Sequence, residues 1–102
     1  MVGANPAQPI RALLPSILRR AEQQHQTLRT IQRAWGGLVG KRLAAHARPV
    51  SLQRGRLIVA VDRPGDGFLL SYQRGPVLER LQAETDGAVR DIVIRPSDGV
   101  PH

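Results

Sequence analysis

The segment from Trp35 to Val61 constrains the fold of this chain more than any other. Two runs of apolar residues, Val50–Leu52 and Leu57–Val61, flank the four residues Gln53-Arg54-Gly55-Arg56. Runs rich in Val, Ile and Leu on either side of a short turn that contains glycine predict a β-hairpin. Alternate residues of each strand are expected to share one face: Val50 with Leu52, and Leu57 with Val59 and Val61.

The spacing of apolar residues predicts two helices before the hairpin. The first helix runs from Ile10 to about Gln24, and Pro15 either starts it or kinks it. Thr27 is suited to cap the second helix, which is expected to end near His46. The apolar face of this second helix, on which the tryptophan is expected to be buried against the sheet, comprises Leu28, Ile31, Trp35, Leu38, Val39 and Leu43.

A third helix and a last strand are predicted after the hairpin. Arg63–Gly67 is typical of a loop, and a helix that is interrupted by Gly75-Pro76 follows from about Phe68 to Ala83. Its core residues are expected to be Leu70, Val77, Leu78 and Leu81, with Phe68 and Tyr72 also inside the protein. The turn at Asp86-Gly87 then leads into a strand, Val89–Arg95.

The predicted order α-α-β-β-α-β indicates an α+β fold in which helices cover one face of a three-stranded sheet. This order is similar to that of KH-like domains. A chain of 102 residues accommodates one small domain. We place that domain at residues 10–95, with a flexible arm at 1–9 and a frayed tail at 96–102.

The glycine-rich segment Gly36–Lys41 contains residue types found in nucleotide-binding loops, but its flanking residues and its place in the chain differ from those of such loops. A P-loop has glycine where this chain has Trp35 and Ser or Thr where it has Arg42, and it follows a strand. Gly37-Leu-Val-Gly40 spells the GXXG clamp of KH domains, but its apolar middle residues favour a buried helical face. We therefore expect no ATP site, and a bend at Gly36-Gly37, where two mid-helix glycines cost about 2 kcal/mol relative to alanine.

Positive charge is concentrated in the first half of the chain. Through Arg56 there are ten basic residues and one acidic residue, and beyond it five basic and seven acidic, so the halves carry +9 and −2. This asymmetry predicts a surface that faces a polyanion. The alternative is that the positive charge only keeps the protein soluble, which would give the same distribution of charge along the sequence. With three aromatic residues in the chain, we expect electrostatic binding that tolerates any base sequence. The candidate contacts are Arg29, Arg33, Lys41, Arg42, Arg48, Arg54 and Arg56.

The remaining polar residues do not predict a catalytic or metal centre. The chain has no cysteine, and its acidic side chains are not expected to converge with a base or nucleophile; these acids include Asp62, Asp66, Glu79 and Glu84. The histidines His25, His46 and His102 lack the spacing of metal ligands. We therefore expect neither enzymatic activity nor a metal or other cofactor. The N-terminus does not resemble a secretory signal, and cytoplasmic residence is the default expectation.

Mostly small and apolar residues stand at a characteristic series of positions, namely Trp35, Val39-Gly40, Leu43-Ala44, His46, Pro49, Leu52, Gly55, Leu57, Val59 and Val61. This series resembles the DciA-type family of bacterial replicative-helicase loaders, and the resemblance extends over roughly Ile10 to Arg95. The family usually has a second tryptophan where the third helix begins, whereas this chain has Asp66-Gly67-Phe68 there. Phe68 is the residue available to fill the space of that tryptophan.

This resemblance implies an adaptor that binds the hexameric DnaB-type helicase and single-stranded DNA and assists helicase loading without using ATP. It does not locate the helicase contact. The alternative function is a KH-like RNA-binding module, which the same basic surface would serve. A small hydrolase is disfavoured because no acid–base set converges.

Overall fold

The computed structural model describes the backbone of residues 7–97 and the side chains of residues 15–97. The predicted arm at 1–9 and tail at 96–102 therefore lie largely outside the described residues. None of the described helices is long and apolar enough to cross a membrane. The described part has a mixed α+β architecture, as predicted, with the elements α1 (Ala7–Val39), α2 (Lys41–Ala44), β1 (Ala47–Gln53), β2 (Arg56–Val61), α3 (Pro64–Tyr72), α4 (Arg74–Glu84) and β3 (Asp91–Pro96).

The segment predicted as two helices separated near Thr27 is mostly one helix, α1, of 33 residues. Pro15 lies inside α1 rather than at its start. Between Pro15 and Gly36 the sequence has neither glycine nor proline, so nothing stops the helix. A residue suited to capping, such as Thr27, does not end a helix by itself, and the prediction of two helices there was wrong.

The chain leaves α1 at Gly40 and not at Gly36-Gly37, where we predicted a bend. The amide of Gly40 still donates to the carbonyl of Gly36 at 2.9 Å, so both predicted bend residues are helical. Gly40 then has φ 94° and ψ 148°, a conformation that is essentially restricted to glycine. The carbonyl of Leu38, near the end of α1, accepts a hydrogen bond from Arg80 Nη1 of α4 at 3.3 Å.

The sheet has the order β1-β2-β3, with β1 antiparallel to β2 and β3 parallel to it. Arg54 and Gly55 form the predicted tight turn, and their φ values of 52° and 82° are those of the type I′ turn that suits a two-residue hairpin. The register shifts between Pro49 and Ser51, and Val50 is 47% exposed while Leu52 is buried. The predicted shared face of Val50 and Leu52 was therefore wrong, because this irregularity interrupts the alternation.

The core lies between the sheet and the helices. Trp35 is 3% exposed, as predicted, and its indole N–H donates to the carbonyl of Ala47 at 2.7 Å. On β2 the alternate residues facing this core are those predicted. The buried cluster joins all three strands to α1, α3 and α4 through Ile31, Trp35, Leu38, Ala47, Leu52, Leu57, Val59, Val61, Leu70, Val77, Leu81 and Ile92.

The predicted third helix is two helices, and the first begins earlier than expected. Pro64 occupies the first turn of α3, a position that tolerates proline because the amide there has no helical partner. Part of the predicted loop Arg63–Gly67 is therefore helical. Phe68 and Tyr72 are 81% and 88% exposed. The expectation that both are core residues was wrong.

Candidate nucleic-acid interface

The face of the sheet that points away from the helices carries arginines at its two ends. Residues paired across strands project to the same side of a sheet. The strand register therefore gives three outward rows: Gln53, Arg56 and Asp91; Ser51, Ile58 and Val93; Arg48, Ala60 and Arg95. Ile58 is only 8% exposed but is not part of the core cluster, so its neighbours on this outer face cover it.

A groove of about 660 Å³ follows β2 and β3 on this outer side. We call it the basic groove; four arginines and one aspartate are among its lining residues, which are Gln53, Arg54, Arg56, Ile58, Arg90, Asp91, Val93 and Arg95. Two of these arginines, Arg54 and Arg56, were predicted contacts. Arg90 and Arg95 were missed because they lie in the half of the chain that is acidic overall.

The single carboxylate of the basic groove is already engaged. Asp91 pairs with Arg74 of α4 and also accepts a hydrogen bond from the Ile92 amide at 2.9 Å. The hydrogen bond from Arg74, followed by that from Ile92, lowers the pKa of Asp91 below its ordinary value of 3.8. With Arg74 included, five arginines against one aspartate leave a net charge of +4 around the groove.

Arg90 is held against the hairpin turn. Its amide donates to the carbonyl of Gly55 at 2.7 Å, and its Nη2 donates to the carbonyl of Arg54 at 3.2 Å. A Cβ atom at position 55 would lie 2.7 Å from Arg90 Nε. Gly55 therefore serves two purposes: it adopts the positive φ of the turn, and it leaves room for the guanidinium of Arg90.

The other predicted contacts are not among the residues that line the basic groove. Arg29 and Arg33 are exposed on α1, on the side of the helix opposite the buried Ile31 and Trp35. Because all helices cover the inner face of the sheet, these two arginines point away from the basic groove. Arg48 is exposed in the outward row that also contains Arg95, and it borders a second groove, between α1 and β1.

Lys41 and Arg42 are exposed at the opposite end of the sheet from the hairpin turn. They precede β1, whose seven residues separate them from Arg54 by about 20 Å. The structure thus brings Arg54 and Arg56 together with Arg90 and Arg95 in one groove. Among the remaining candidates, Arg48 lies on the same face of the sheet.

A histidine and two aspartates converge at the end of the sheet near Lys41. His46 Nδ1 lies 3.0 Å from Asp62 Oδ1, and ligand atoms of His46, Asp62 and Asp66 lie within 4.8 Å of one another. The expectation that these acids meet no base was therefore wrong. Arg63 contacts Nε2 of His46, and since a guanidinium only donates, Nε2 accepts and Nδ1 carries the proton given to Asp62. A metal ion would have to replace the proton between Nδ1 and Asp62 or, at Nε2, displace Arg63, so we interpret the cluster as a link between the adjoining ends of β1, β2 and α3.

The sequence matches the model of a protein family described as "Dna[CI] antecedent, DciA" over residues 9–94. A comparison with curated proteins gave no match. The matched residues span nearly the whole of the described structure, from α1 through most of β3, and they include Arg54, Arg56 and Arg90. The resemblance seen between Trp35 and Val61 is thereby confirmed: the chain belongs to the DciA family of bacterial replicative-helicase loaders.

Proposed function

We propose that this chain is a non-enzymatic adaptor that binds a DnaB-type hexameric helicase and single-stranded DNA and promotes helicase loading without hydrolysing ATP. Membership of the DciA family supports the helicase-loading role. The basic groove is the observation that supports DNA binding. Such a role would place the protein in the bacterial cytoplasm, where the chromosome is replicated.

The chemistry of the basic groove suits a phosphodiester backbone. Guanidinium groups bind phosphate oxygens with two parallel hydrogen bonds, and four of them line this groove. The carboxylate that would repel phosphate is already paired with Arg74. Arg90 and Arg95 stand at the two ends of β3, about 17 Å apart along the strand, so an extended nucleic acid would meet cations at both ends.

The residues that line the groove indicate that DNA binding would depend little on base sequence. Its described lining contains no aromatic side chain on which a base could stack, and its central residues are Ile58 and Val93. Contacts would therefore be made chiefly to phosphates, which carry no sequence information. Arg29, Arg33, Lys41, Arg42 and Arg48 are secondary candidates, because a strand lying in the groove would not reach all of them at once.

Salt dependence of DNA binding tests this proposal. Each phosphate contact on single-stranded DNA contributes about −0.7 to the slope of log K against log salt, so three to five contacts predict a slope of roughly −2 to −3.5. The double variant Arg54→Asn/Arg56→Gln should make the slope shallower by about 1.4, the sum of two contacts. Asn is chosen at position 54 because it tolerates the positive φ found there. The measurement is fluorescence anisotropy of labelled oligonucleotides at several salt concentrations.

The matched control is Arg29→Gln/Arg33→Gln, which removes the same charge from the opposite side of α1. If this control flattens the slope and the groove variant does not, DNA binds to the helix and not to the groove. A strong preference for structured RNA over single-stranded DNA would favour the alternative function, a KH-like RNA-binding module. ATP hydrolysis by the purified chain would contradict the adaptor mechanism.

A further inference from the structure

Helix α3 presents an apolar surface to solvent. Phe68, Leu69 and Tyr72 are 81%, 44% and 88% exposed. Residues three and four positions apart are neighbours on a helix, so Tyr72 lies beside both Phe68 and Leu69. These three side chains form a continuous patch, which we call the α3 ridge.

The packing of α3 explains why the ridge points outward. Leu70 is fully buried, and a Cβ atom on Gly67 would lie within 4 Å of Val61 and Ile94, so this side of the helix contacts the sheet. At 100° per residue, Phe68, Leu69 and Tyr72 fall on the side opposite Gly67 and Leu70. The outward face of α3 is therefore apolar, which is the reverse of an ordinary surface helix.

Charge argues against a nucleic acid or an anionic membrane as the partner of this ridge. None of the three ridge residues is charged, and the arginines at both ends of α3 are engaged within the protein. Arg63 contacts His46 and lies 3.9 Å from Asp66, and Arg74 pairs with Asp91. The ridge itself thus offers no positive charge to a phosphate, whereas an uncharged apolar groove on a protein would match it.

We infer that the α3 ridge is the surface by which this chain contacts the DnaB-type helicase, with Phe68 and Tyr72 as the anchors in an apolar groove between helices of that partner. This inference rests on the proposed function. Anchors at positions i and i+4 are the pattern by which a helix docks in a groove. The ridge and the basic groove lie on different sides of the sheet, so helicase and DNA could be bound at the same time.

Direct binding measurements with purified helicase test the inference. The variant Phe68→Ser/Tyr72→Ser should bind the helicase at least about thirtyfold more weakly, as expected when two aromatic anchors are removed. Its circular dichroism, its thermal midpoint and its affinity for single-stranded DNA should be unchanged, because both side chains are exposed. The matched control is Ile17→Ser/Leu18→Ser on α1, where the two apolar side chains are 55% and 60% exposed and should not contribute.

The outcomes separate the inference from the function on which it rests. If the wild-type chain does not bind the helicase, both are overturned. If it binds and the ridge variant binds equally well, only the assignment of the ridge is overturned, and an effect of the control would place the contact on α1. If the wild-type chain forms a dimer that the ridge variant does not form, and both bind helicase alike, the ridge joins two copies of this chain instead.

Discussion

Replacing two nearby glycines with alanine should change stability in opposite directions. Gly40 has φ 94° and ψ 148°, where a side chain is strained, although no atom lies within 4 Å of a Cβ built there. The cost of Gly40→Ala is therefore conformational, about 1–3 kcal/mol. Gly37 is helical and its Cβ position is equally open, so Gly37→Ala should stabilise by about 0.5–1 kcal/mol. The free energies of unfolding of the two variants should differ by about 1.5–4 kcal/mol.

Urea denaturation followed by far-ultraviolet circular dichroism measures this difference. With a denaturant slope of roughly 1–1.5 kcal/mol per molar for a domain of this size, a loss of about 2 kcal/mol lowers the midpoint by roughly 1.3–2 M. The slope itself should not change, because neither substitution alters the surface exposed on unfolding. The double variant should lie near the sum of the two effects if the sites are independent.

Two results would refute the reasoning. If Gly40→Ala is as stable as the wild-type chain, the chain does not need a glycine conformation where α1 ends. If Gly37→Ala is instead the destabilised variant, the bend lies at Gly36-Gly37, as the sequence alone had suggested.

Two further predictions concern the core and the basic groove. Trp35→Ala should destabilise the protein by about 3–5 kcal/mol, and Trp35→Phe by about 1–3 kcal/mol because it leaves the Ala47 carbonyl without its donor. Chemical denaturation followed by circular dichroism measures both losses. Variants as stable as the wild-type chain would exclude the core role of Trp35. Arg74 holds the pKa of the Asp91 carboxyl below its ordinary value. The stability that this ion pair contributes is therefore fully present above the ordinary pKa and is lost as the pH falls through the lowered pKa. Asp91→Asn should therefore flatten the decrease in thermal midpoint at acidic pH, and a decrease as steep as in the wild-type chain would contradict this.

Local pattern in the sequence was enough to predict the hairpin, the core-facing side of β2, the burial of Trp35 and the presence of a last strand. The faces of these elements follow from the period of two of a strand and of 3.6 of a helix, which depend only on neighbouring residues. The family resemblance was also readable, because its positions lie mainly in the same contiguous segment. The excess of positive charge was visible, but its arrangement in space was not.

Tertiary structure decided which arginines meet and which apolar side chains stay outside. Arg90 and Arg95 join Arg54 and Arg56 only because β3 pairs in parallel with β2, a contact between residues distant in sequence. Counting charges along the chain assigned them to the acidic half. Phe68 and Tyr72 are large aromatic residues that a core could contain, and their exposure depends on which side of α3 packs against Val61 and Ile94. Hydrophobic burial favours contact between apolar surfaces without specifying which surfaces meet. The packing of the whole domain therefore determines which arginines lie together and which apolar side chains are exposed.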